Sequence, residues 1–331
     1  MRDVALLQAK ERDDLFRMVA AKKGLQPAII EKDFWVCWML DYLFSYCKYR
    51  DKFVFKGGTS LSKAFNLIER FSEDIDLVID WRVFDYKFDE PWEKRSNTKQ
   101  DAFIELINGN VSEFLLEKLK PIMEEDFIQN IVGDWRLSIH ENDPQTLCFD
   151  YPRAFNDSSI LQELRLETGA LAAWAPAQVA YISSYVAELF PEKMQVLSTP
   201  VLTVSPERTF WEKVTILHKE AKRTNGRLPA RYSRHYYDIY CMCQTIVKSR
   251  ALANLELLEQ VVKFKVAFWR SNAARYDLCK PGTIRLVPPD AQAQRVRDDY
   301  AHMRNMLFGK VPNFDEIIES IYSLENEINA F

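Results

Sequence analysis

The segment FVFKGGTSLSKAFNLIERFSEDIDLVID, residues 53–80, constrains the fold and chemistry of this chain more than any other part of it. Phenylalanine and valine at 53–55 predict a short buried strand, and the run IDLVI at 75–79 predicts a second one. Between them, Gly57 and Gly58 permit backbone conformations and close approaches that a Cβ atom would block. The segment therefore predicts a strand, a glycine turn, a helix and a second strand, in that order.

The predicted helix begins just after the glycine turn. Thr59 and Ser60 are suited to an N-cap or a first turn, so the amides at this helix end would point out of the strand end, where an anion can bind. Lys56, directly before the glycines, is expected either to contact phosphate or to cap the end of the strand. The apolar residues at i, i+3, i+4 and i+7 are predicted to face inward: Leu61, Ala64, Phe65 and Ile68.

Two carboxylates share one face of the second predicted strand. Successive side chains alternate along a strand, so Asp74 and Asp76 point the same way, roughly 6.5 Å apart along the chain. Such a pair can hold a divalent cation whose other ligands are phosphate oxygens, and Mg²⁺ favours this arrangement. Taken alone, the glycines indicate a tight turn and the aspartates a solvated strand face. Their combination favours a site for a metal-bound nucleoside triphosphate.

Further along, the chain changes from mixed to helical. Predicted strands at 53–55, 75–79, 135–139, 147–151 and 164–166 alternate with helical patterns at 103–119 and 178–189. From Ser205 onward every pattern is helical. We therefore predict an α+β fold with a mixed sheet flanked by helices at 1–204, followed by an all-helical domain at 205–331 that closes an active-site cleft. The predicted C-terminal helices span 206–220, 234–248, 252–270, 291–307 and 314–330.

Charge and cysteine usage restrict the function only weakly. The net charge is −4, so any nucleic-acid-binding surface must be local. One dense basic cluster is suited to contact an RNA backbone, although it would also be typical of an ordinary solvated loop. Its residues are Lys219, Lys222, Arg223, Arg227, Arg231 and Arg234. The six cysteines show no metal or disulfide spacing and are expected to be reduced. No apolar run reaches 18 residues and the start carries no leader pattern, which predicts a cytoplasmic protein without a membrane segment.

Three motifs give the chain a family resemblance. GGTSLSKAFNLIERFSEDIDLVID resembles the first motif of the nucleotidyltransferase superfamily. More narrowly, IIEKDFWVCWML at 29–40, FKGGTSLSKAF at 55–65 and RFSEDIDLVID at 70–80 resemble the AbiEii/AbiGii toxin family of type IV toxin–antitoxin systems, to which MenT-type toxins belong. The resemblance implies a nucleotidyltransferase fold and a cytoplasmic enzyme that uses NTP and Mg²⁺.

A later motif extends the resemblance to residue 240. The family has a Glu-Lys helix followed by a basic loop ending in Arg-Asp-x-x-Asp, and this chain has FWEKVTILHKEAKRTNGRLPARYSRHYYDIY at 210–240. Lys213 then becomes a candidate for contacting the triphosphate, although a lysine at such a helix edge commonly only covers the core. Arg234 is kept, with a nucleotide-binding role, but His235 replaces the first acid. Asp238 is expected to orient Lys213, to bind metal or to act as a base; its simplest alternative is an ion pair with Arg234.

The superfamily also implies a third metal-binding carboxylate beside Asp74 and Asp76. Glu167 in ELRLETGAL is the best candidate on a neighbouring strand, and its alternative is an ordinary surface residue. The acceptor implied by the resemblance is the 3′ end of tRNA, and the implied outcome is growth arrest or abortive infection, opposed by an AbiEi-like antitoxin encoded nearby. Two alternatives remain open: a transferase acting on a protein or a small molecule such as an antibiotic, and a non-catalytic nucleotide- or RNA-binding module.

Overall fold

The computed structural model describes residues 1–72, 74–157, 160–172, 175–223 and 229–331. These residues form two compact units. The first contains residues 1–64 and 72–203, and the second contains residues 65–71 and 204–331. Residues 65–71, which precede the predicted domain boundary at residue 204, group with residues 204–331 in the second unit.

The first unit is built from seven helices and a seven-stranded sheet. The helices are α1 Arg2–Ala5, α2 Ala9–Lys23, α3 Pro27–Asp41, α4 Gly57–Lys63, α5 Asn97–Phe114, α6 Lys120–Asn130 and α7 Tyr185–Leu189. The strands are β1 Phe53–Lys56, β2 Asp74–Ile79, β3 Arg136–His140, β4 Asp143–Asp150, β5 Leu164–Gly169, β6 Ala177–Ile182 and β7 Thr199–Val204. A π-helical turn at Leu115–Leu119 joins α5 to α6.

The sheet is mixed, with strand order β3-β4-β5-β2-β1-β7-β6. The central pair β1 and β2 is antiparallel, while β2 is parallel to β5 and β1 is parallel to β7. Strand β2 forms because its residues alternate: Ile75 and Leu77 are fully buried, whereas Asp74 and Asp76 are only partly buried. The predicted fold class, a mixed sheet with flanking helices followed by a helical part, is confirmed.

Helix α3 lies at the centre of the first unit and is buried almost all round. Trp35, fully buried, packs edge-on against Trp38 and Phe149 and stacks on Tyr151 of the segment after β4. Burying roughly a whole tryptophan side chain contributes on the order of 3 kcal/mol. Aromatic contacts with the sheet therefore contribute to holding this helix in place.

Three consecutive charged residues of α3 are also buried, and each has polar partners. Glu31 accepts hydrogen bonds from the backbone N–H groups of Ala154 and Phe155, while Lys32 Nζ donates to two carbonyl oxygens of the segment before β5. Asp33 forms an ion pair with Lys63 of α4. Buried charges cost free energy unless paired, so these contacts fix the chain before β5 and the end of α4.

In the second unit, the described residues form α-helices joined by loops and short turns, together with residues 65–71. Its helices are α8 Pro206–Ala221, α9 Arg234–Cys243, α10 Ile246–Leu252, α11 Leu255–Phe268, α12 Asp290–Met303 and α13 Phe314–Asn329. Ser205 caps α8 by accepting from the N–H of Arg208, and Pro206 occupies its first turn. Helix α8 carries Lys213 and packs against α9, α10 and α11.

We call residues 65–71, which connect α4 to β2 in sequence, the linking segment. Its backbone pairs with residues 306–308: the N–H of Phe308 donates to the Glu69 carbonyl at 2.7 Å, and the N–H of Phe71 donates to the Met306 carbonyl at 2.8 Å. Arg70 and Leu307 form an antiparallel bridge between these two hydrogen bonds. The linking segment is thus hydrogen-bonded within the second unit.

Three predicted elements are wrong. Residues 234–248 do not form one helix, because α9 ends at Cys243 and α10 begins at Ile246. Residues 178–189 do not form one helix, because 177–182 is strand β6 and only Tyr185–Leu189 is helical. The helix after the glycine turn ends at Lys63, so Phe65 and Ile68 are not on it. Asn66 has φ of 52°, which cannot continue a right-handed helix. Within the described ranges, every helix is too short or too polar to cross a membrane.

Candidate active site

The glycine turn and the second strand meet at Gly57 and Asp76. Gly57 has φ of +83°, and a Cβ atom built on it would lie 1.8 Å from Oδ2 of Asp76. No side chain can be accommodated there without moving the carboxylate. Lys56, the last residue of β1, is the direct antiparallel partner of Asp76. The turn and one of the two candidate metal-binding carboxylates are therefore in contact.

The hydroxyls that follow the turn bond to the backbone. Thr59, which is 1% exposed, donates through Oγ1 to the carbonyl of Asp74, the first residue of β2. Ser60, fully buried, donates through Oγ to the Gly57 carbonyl at 2.8 Å. These two residues thus hold α4 against the start of β2 and fix the turn, while Gly58 lies within the first helical turn. Their predicted contact with nucleotide phosphates stays a prediction.

The third candidate carboxylate lies on the strand next to β2. In the parallel pairing of β2 with β5, Asp76 is opposite Glu167 and Asp74 is opposite Arg165. Side chains opposite each other in a pair of strands project from the same face, so Glu167 is on the face of the aspartates. Nevertheless, in the part of the chain that the structure describes, no three acidic, histidine or cysteine side chains are close enough to bind one metal ion. A three-carboxylate site stays a prediction.

The donor set fits a hard divalent cation. Asp74 and Asp76 supply carboxylate oxygens, which Mg²⁺ and related ions prefer, and each is partly accessible. The missing side chain at Gly57 leaves the space that the Asp76 carboxylate uses. These two residues would hold the cation, and backbone N–H groups in the first turn of α4, which have no partner within the helix, are available to an anion.

A second cluster of candidate residues lies within the helical unit, around Asp238. Asp238 is fully buried and accepts hydrogen bonds from Arg70 of the linking segment, Nε to Oδ1 at 2.7 Å and Nη2 to Oδ2 at 2.9 Å. Lys213 Nζ lies 2.7 Å from Asp238 Oδ2. Lys213 is 6% exposed, so its ammonium group is not directed into solvent as the core-covering alternative requires. One carboxylate thus joins two cations.

The electrostatics of this cluster follow from burial and from its net positive charge. Burial alone would raise the pKa of the Asp238 carboxyl, but Arg70 and Lys213 hold that pKa well below its usual range. Burial, then Arg70 and Arg234, lower the pKa of the Lys213 ammonium, against the opposing effect of Asp238. Burial and the neighbouring Lys213 and Arg234 also lower the pKa of His235, which is therefore neutral near pH 7.

The contacts of Asp238 discriminate among its three predicted roles. Both carboxylate oxygens bind cationic side chains, and a carboxylate with a strongly lowered pKa is a weak base. Two adjacent cations also disfavour a divalent metal ion at this position. The arrangement favours orientation of Lys213. Arg234, the partner in the simplest alternative, is exposed.

The basic cluster is only partly described. Arg227 lies outside the described residues. Arg231 is exposed, and its backbone N–H donates to Asp299 Oδ1, while Arg223 pairs with Glu220 at 2.6 Å. Lys219 and Lys222 are half-buried on and after α8. The described part of the cluster is thus a basic surface in which Arg223 is paired with an acidic residue.

Sequence reasoning did not identify Arg70. Its signal was present, because Arg70 begins the RFSEDIDLVID motif that carries the family resemblance. The partner, however, is 168 residues away in sequence. The pairing is a tertiary contact that no local pattern indicates.

Comparison with known proteins agrees with the nucleotidyltransferase class that the motifs indicate. A family model described as the nucleotidyl transferase AbiEii toxin of type IV toxin–antitoxin systems matches residues 38–320. The chain belongs to this family. Among solved structures it is similar to MenT4, a nucleotidyltransferase toxin from Mycobacterium tuberculosis H37Rv, with 15% identity, a TM-score of 0.40, and coverage of 95% of this chain and 98% of that chain. No curated protein matches the sequence.

The family match confirms the resemblance drawn from the three motifs. It also makes the chain a nucleotidyltransferase-type toxin by family, with an antitoxin partner implied by the type IV system. Nucleotidyltransferases as a class use NTP and a divalent metal ion.

Proposed function

We propose that the protein transfers a nucleotide from NTP to an acceptor hydroxyl with release of pyrophosphate, and that the acceptor is the 3′ end of tRNA. The observation that supports this most is the contact between the Asp76 carboxylate and the Gly57 turn, in a chain of the AbiEii family. It joins the candidate metal-binding residues to the candidate phosphate-binding turn.

In the proposed reaction, the acceptor oxygen attacks the α-phosphorus, and the bond from that phosphorus to the β-phosphate oxygen breaks. The acceptor proton passes to solvent or to a base, and pyrophosphate leaves. Asp74 and Asp76 would hold a divalent cation, Mg²⁺ being the natural choice; when bound, it would stabilise negative charge on the phosphates. Glu167, on the same face of the sheet, is proposed as a further ligand, which would require its side chain to move towards the aspartates. The turn at Lys56, Gly57, Gly58, Thr59 and Ser60 orients the triphosphate tail.

Lys213 and Arg234 are proposed to provide positive charge to the triphosphate and to the departing pyrophosphate. Asp238 is proposed to orient Lys213, because both of its oxygens are occupied by Arg70 and Lys213. Preorganised charge of this kind commonly contributes a large part of catalysis, typically about 3 kcal/mol per group. The basic cluster around Arg231 is proposed to contact the RNA backbone.

Nucleotide addition to the tRNA end would prevent aminoacylation and stop growth in the cytoplasm, with abortive infection as one context and an AbiEi-like protein as the antitoxin. The test is incubation with each of the four α-³²P-labelled NTPs, with and without Mg²⁺, and with separate pools of tRNA, protein and small hydroxyl compounds. Label on tRNA ends supports the proposal. Label on protein or on a small molecule would show that the acceptor is not tRNA. NTP binding without any transfer would indicate a non-catalytic binding module.

A further inference from the structure

We propose that Arg70 is a positioning residue for nucleotide transfer, holding Asp238 in the orientation that directs the Lys213 ammonium. This inference rests on the proposed function, in which Lys213 is a catalytic residue. It adds a member to the site that the family motifs did not supply, and it gives the linking segment a role.

The geometry of the guanidinium is the first support. Arg70 contacts both oxygens of Asp238, at 2.7 and 2.9 Å, which is the bidentate arrangement that fixes a carboxylate most firmly. In this orientation of the carboxylate, Oδ2 of Asp238 also lies 2.7 Å from Nζ of Lys213. Rotation of the carboxylate would break both contacts with Arg70, so the direction of the Lys213 contact depends on Arg70.

The backbone around Arg70 is the second support. The residues on either side of it, Glu69 and Phe71, form backbone hydrogen bonds to Phe308 and Met306. In addition, the hydroxyl of Tyr237, the neighbour of Asp238 on α9, accepts a hydrogen bond from the N–H of Glu69 at 3.3 Å. The backbone on both sides of Arg70 is therefore held by hydrogen bonds. This preorganises the guanidinium group for its contact with Asp238.

The third support is the charge balance. After burial, the groups that shift the pKa of Lys213 most are Asp238, Arg70 and Arg234, with neutral His235 beside them. With Arg70 present, Asp238 is shared between two cations, so the cluster keeps a net positive charge that favours an anionic ligand. Without Arg70, Asp238 would neutralise Lys213 alone. A simple salt bridge between Lys213 and Asp238 would thus be a weaker site for pyrophosphate.

A structural role alone would not explain why arginine is needed. Lysine would preserve the charge at residue 70 but could contact only one carboxylate oxygen at a time. The variants Arg70→Gln and Arg70→Lys therefore separate charge from geometry. The matched control is Arg208→Gln, because Arg208 is a similarly buried arginine, 4% exposed against 7%, that pairs with Glu212 on α8.

The experiment measures kcat and KM for labelled NTP with the full-length protein across pH 6–11, together with Tm for each variant. For Arg70→Gln we expect kcat to fall about 10²-fold with a smaller change in KM. We also expect the alkaline loss of activity to move to higher pH, because Arg70 lowers the pKa of Lys213. Arg70→Lys should keep the wild-type alkaline limb with a reduced kcat. Arg208→Gln should change Tm without moving the alkaline limb.

Two results would overturn the inference. One is an Arg70→Gln enzyme whose kcat matches that of Arg208→Gln at equal Tm. The other is an Arg70→Gln enzyme whose activity is lost at the same alkaline pH as that of the wild type. A wild-type enzyme that transfers no nucleotide would contradict the proposed function instead. In that case the ¹H–¹⁵N signals of lysine ammonium groups still test the contact: the Lys213 signal should persist to higher pH in Arg70→Gln, and an unchanged titration would contradict it.

Discussion

The Asp76 carboxylate occupies the space beside Gly57 in which a side chain at residue 57 would have to lie, with Oδ2 only 1.8 Å from the position of a Cβ atom. This contact explains why a glycine at residue 57 and an aspartate at residue 76 occur together in one short stretch. The glycine is needed so that the carboxylate can approach the turn.

Substitution of Gly57 by alanine should therefore abolish transfer, with a loss of at least about 10²-fold, because the Asp76 carboxylate must move. The measurement is labelled-NTP transfer, with Tm as the stability readout. Gly24→Ala is the matched control, because Gly24 also has positive φ, +67°, but nothing lies within 4 Å of its Cβ position. It should lose about 1 kcal/mol of stability and keep full activity. An active Gly57→Ala enzyme would argue against a role for this contact.

The charges around Asp238 predict that its removal and the removal of Lys213 differ in stability. Asp238→Asn leaves two buried cations without an anion and should lower the free energy of unfolding by about 3–5 kcal/mol. Lys213→Met leaves the pair of Arg70 and Asp238 intact and should cost about 1 kcal/mol. Both should abolish transfer. Urea unfolding measures which variant loses more free energy of unfolding. Equal losses in the two variants, or a normal transfer rate in a destabilised Lys213→Met protein, would indicate that Lys213 has only a structural role.

Glu31 predicts a pH dependence of stability. Burial raises the pKa of its carboxyl from 4.5 to about 7, against the opposing effect of the Ala154 and Phe155 amides. A raised pKa stabilises the folded state fully below pH 4.5, and this contribution is lost as pH rises through about 7. Relative to Glu31→Gln, the wild type should lose about 3 kcal/mol between pH 4 and pH 8.5.

Chemical unfolding at each pH measures this difference. The control is Glu259→Gln on the exposed face of α11, which should follow the wild-type curve. A Glu31→Gln protein with the same pH dependence as the wild type would show that the pKa of Glu31 is the same in the folded and unfolded states, which would contradict the raised value.

Arg231 predicts a salt-dependent contribution to RNA binding. Its side chain is exposed while its backbone is fixed by Asp299, so charge reversal should leave the fold intact. Arg231→Glu should weaken tRNA binding most at low salt and reduce the slope of log K against log salt by about one. Lys263→Glu, an exposed reversal on α11, is the control. Equal tRNA affinities of Arg231→Glu and Lys263→Glu would show that the basic cluster does not contribute to RNA binding.

The sequence predicted the parts of the fold whose residues have a clear period. The alternation of apolar and acidic residues in Asp74–Ile79 predicted β2. The paired glycines after β1 predicted where α4 begins. The pattern at 178–189 predicts a helix and misses strand β6, because β6 lies at the sheet edge, where its outer face is apolar and exposed: Val179 is 58% and Tyr181 is 67% exposed. No polar face marks it as a strand.

The site could be predicted only as far as its local motifs reach. The Gly57 turn and Asp76 are 19 residues apart, and a strand-turn-helix-strand pattern was enough to bring them together. The contact of Arg70 with Asp238 joins residues 168 apart and depends on how the linking segment pairs with 306–308. Sequence patterns carry no information on such pairing, which is decided by the packing of the whole unit.

The most direct test of the central claim is nucleotide transfer by Asp76→Asn, measured as α-³²P label on tRNA ends in Mg²⁺. Asp150→Asn is the control, because Asp150 is a sheet carboxylate on β4 that pairs with Arg136. Asp76→Asn should keep the wild-type Tm within a few degrees and transfer no label, while Asp150→Asn should transfer at the wild-type rate. Wild-type transfer by Asp76→Asn would contradict a metal-binding role for Asp76.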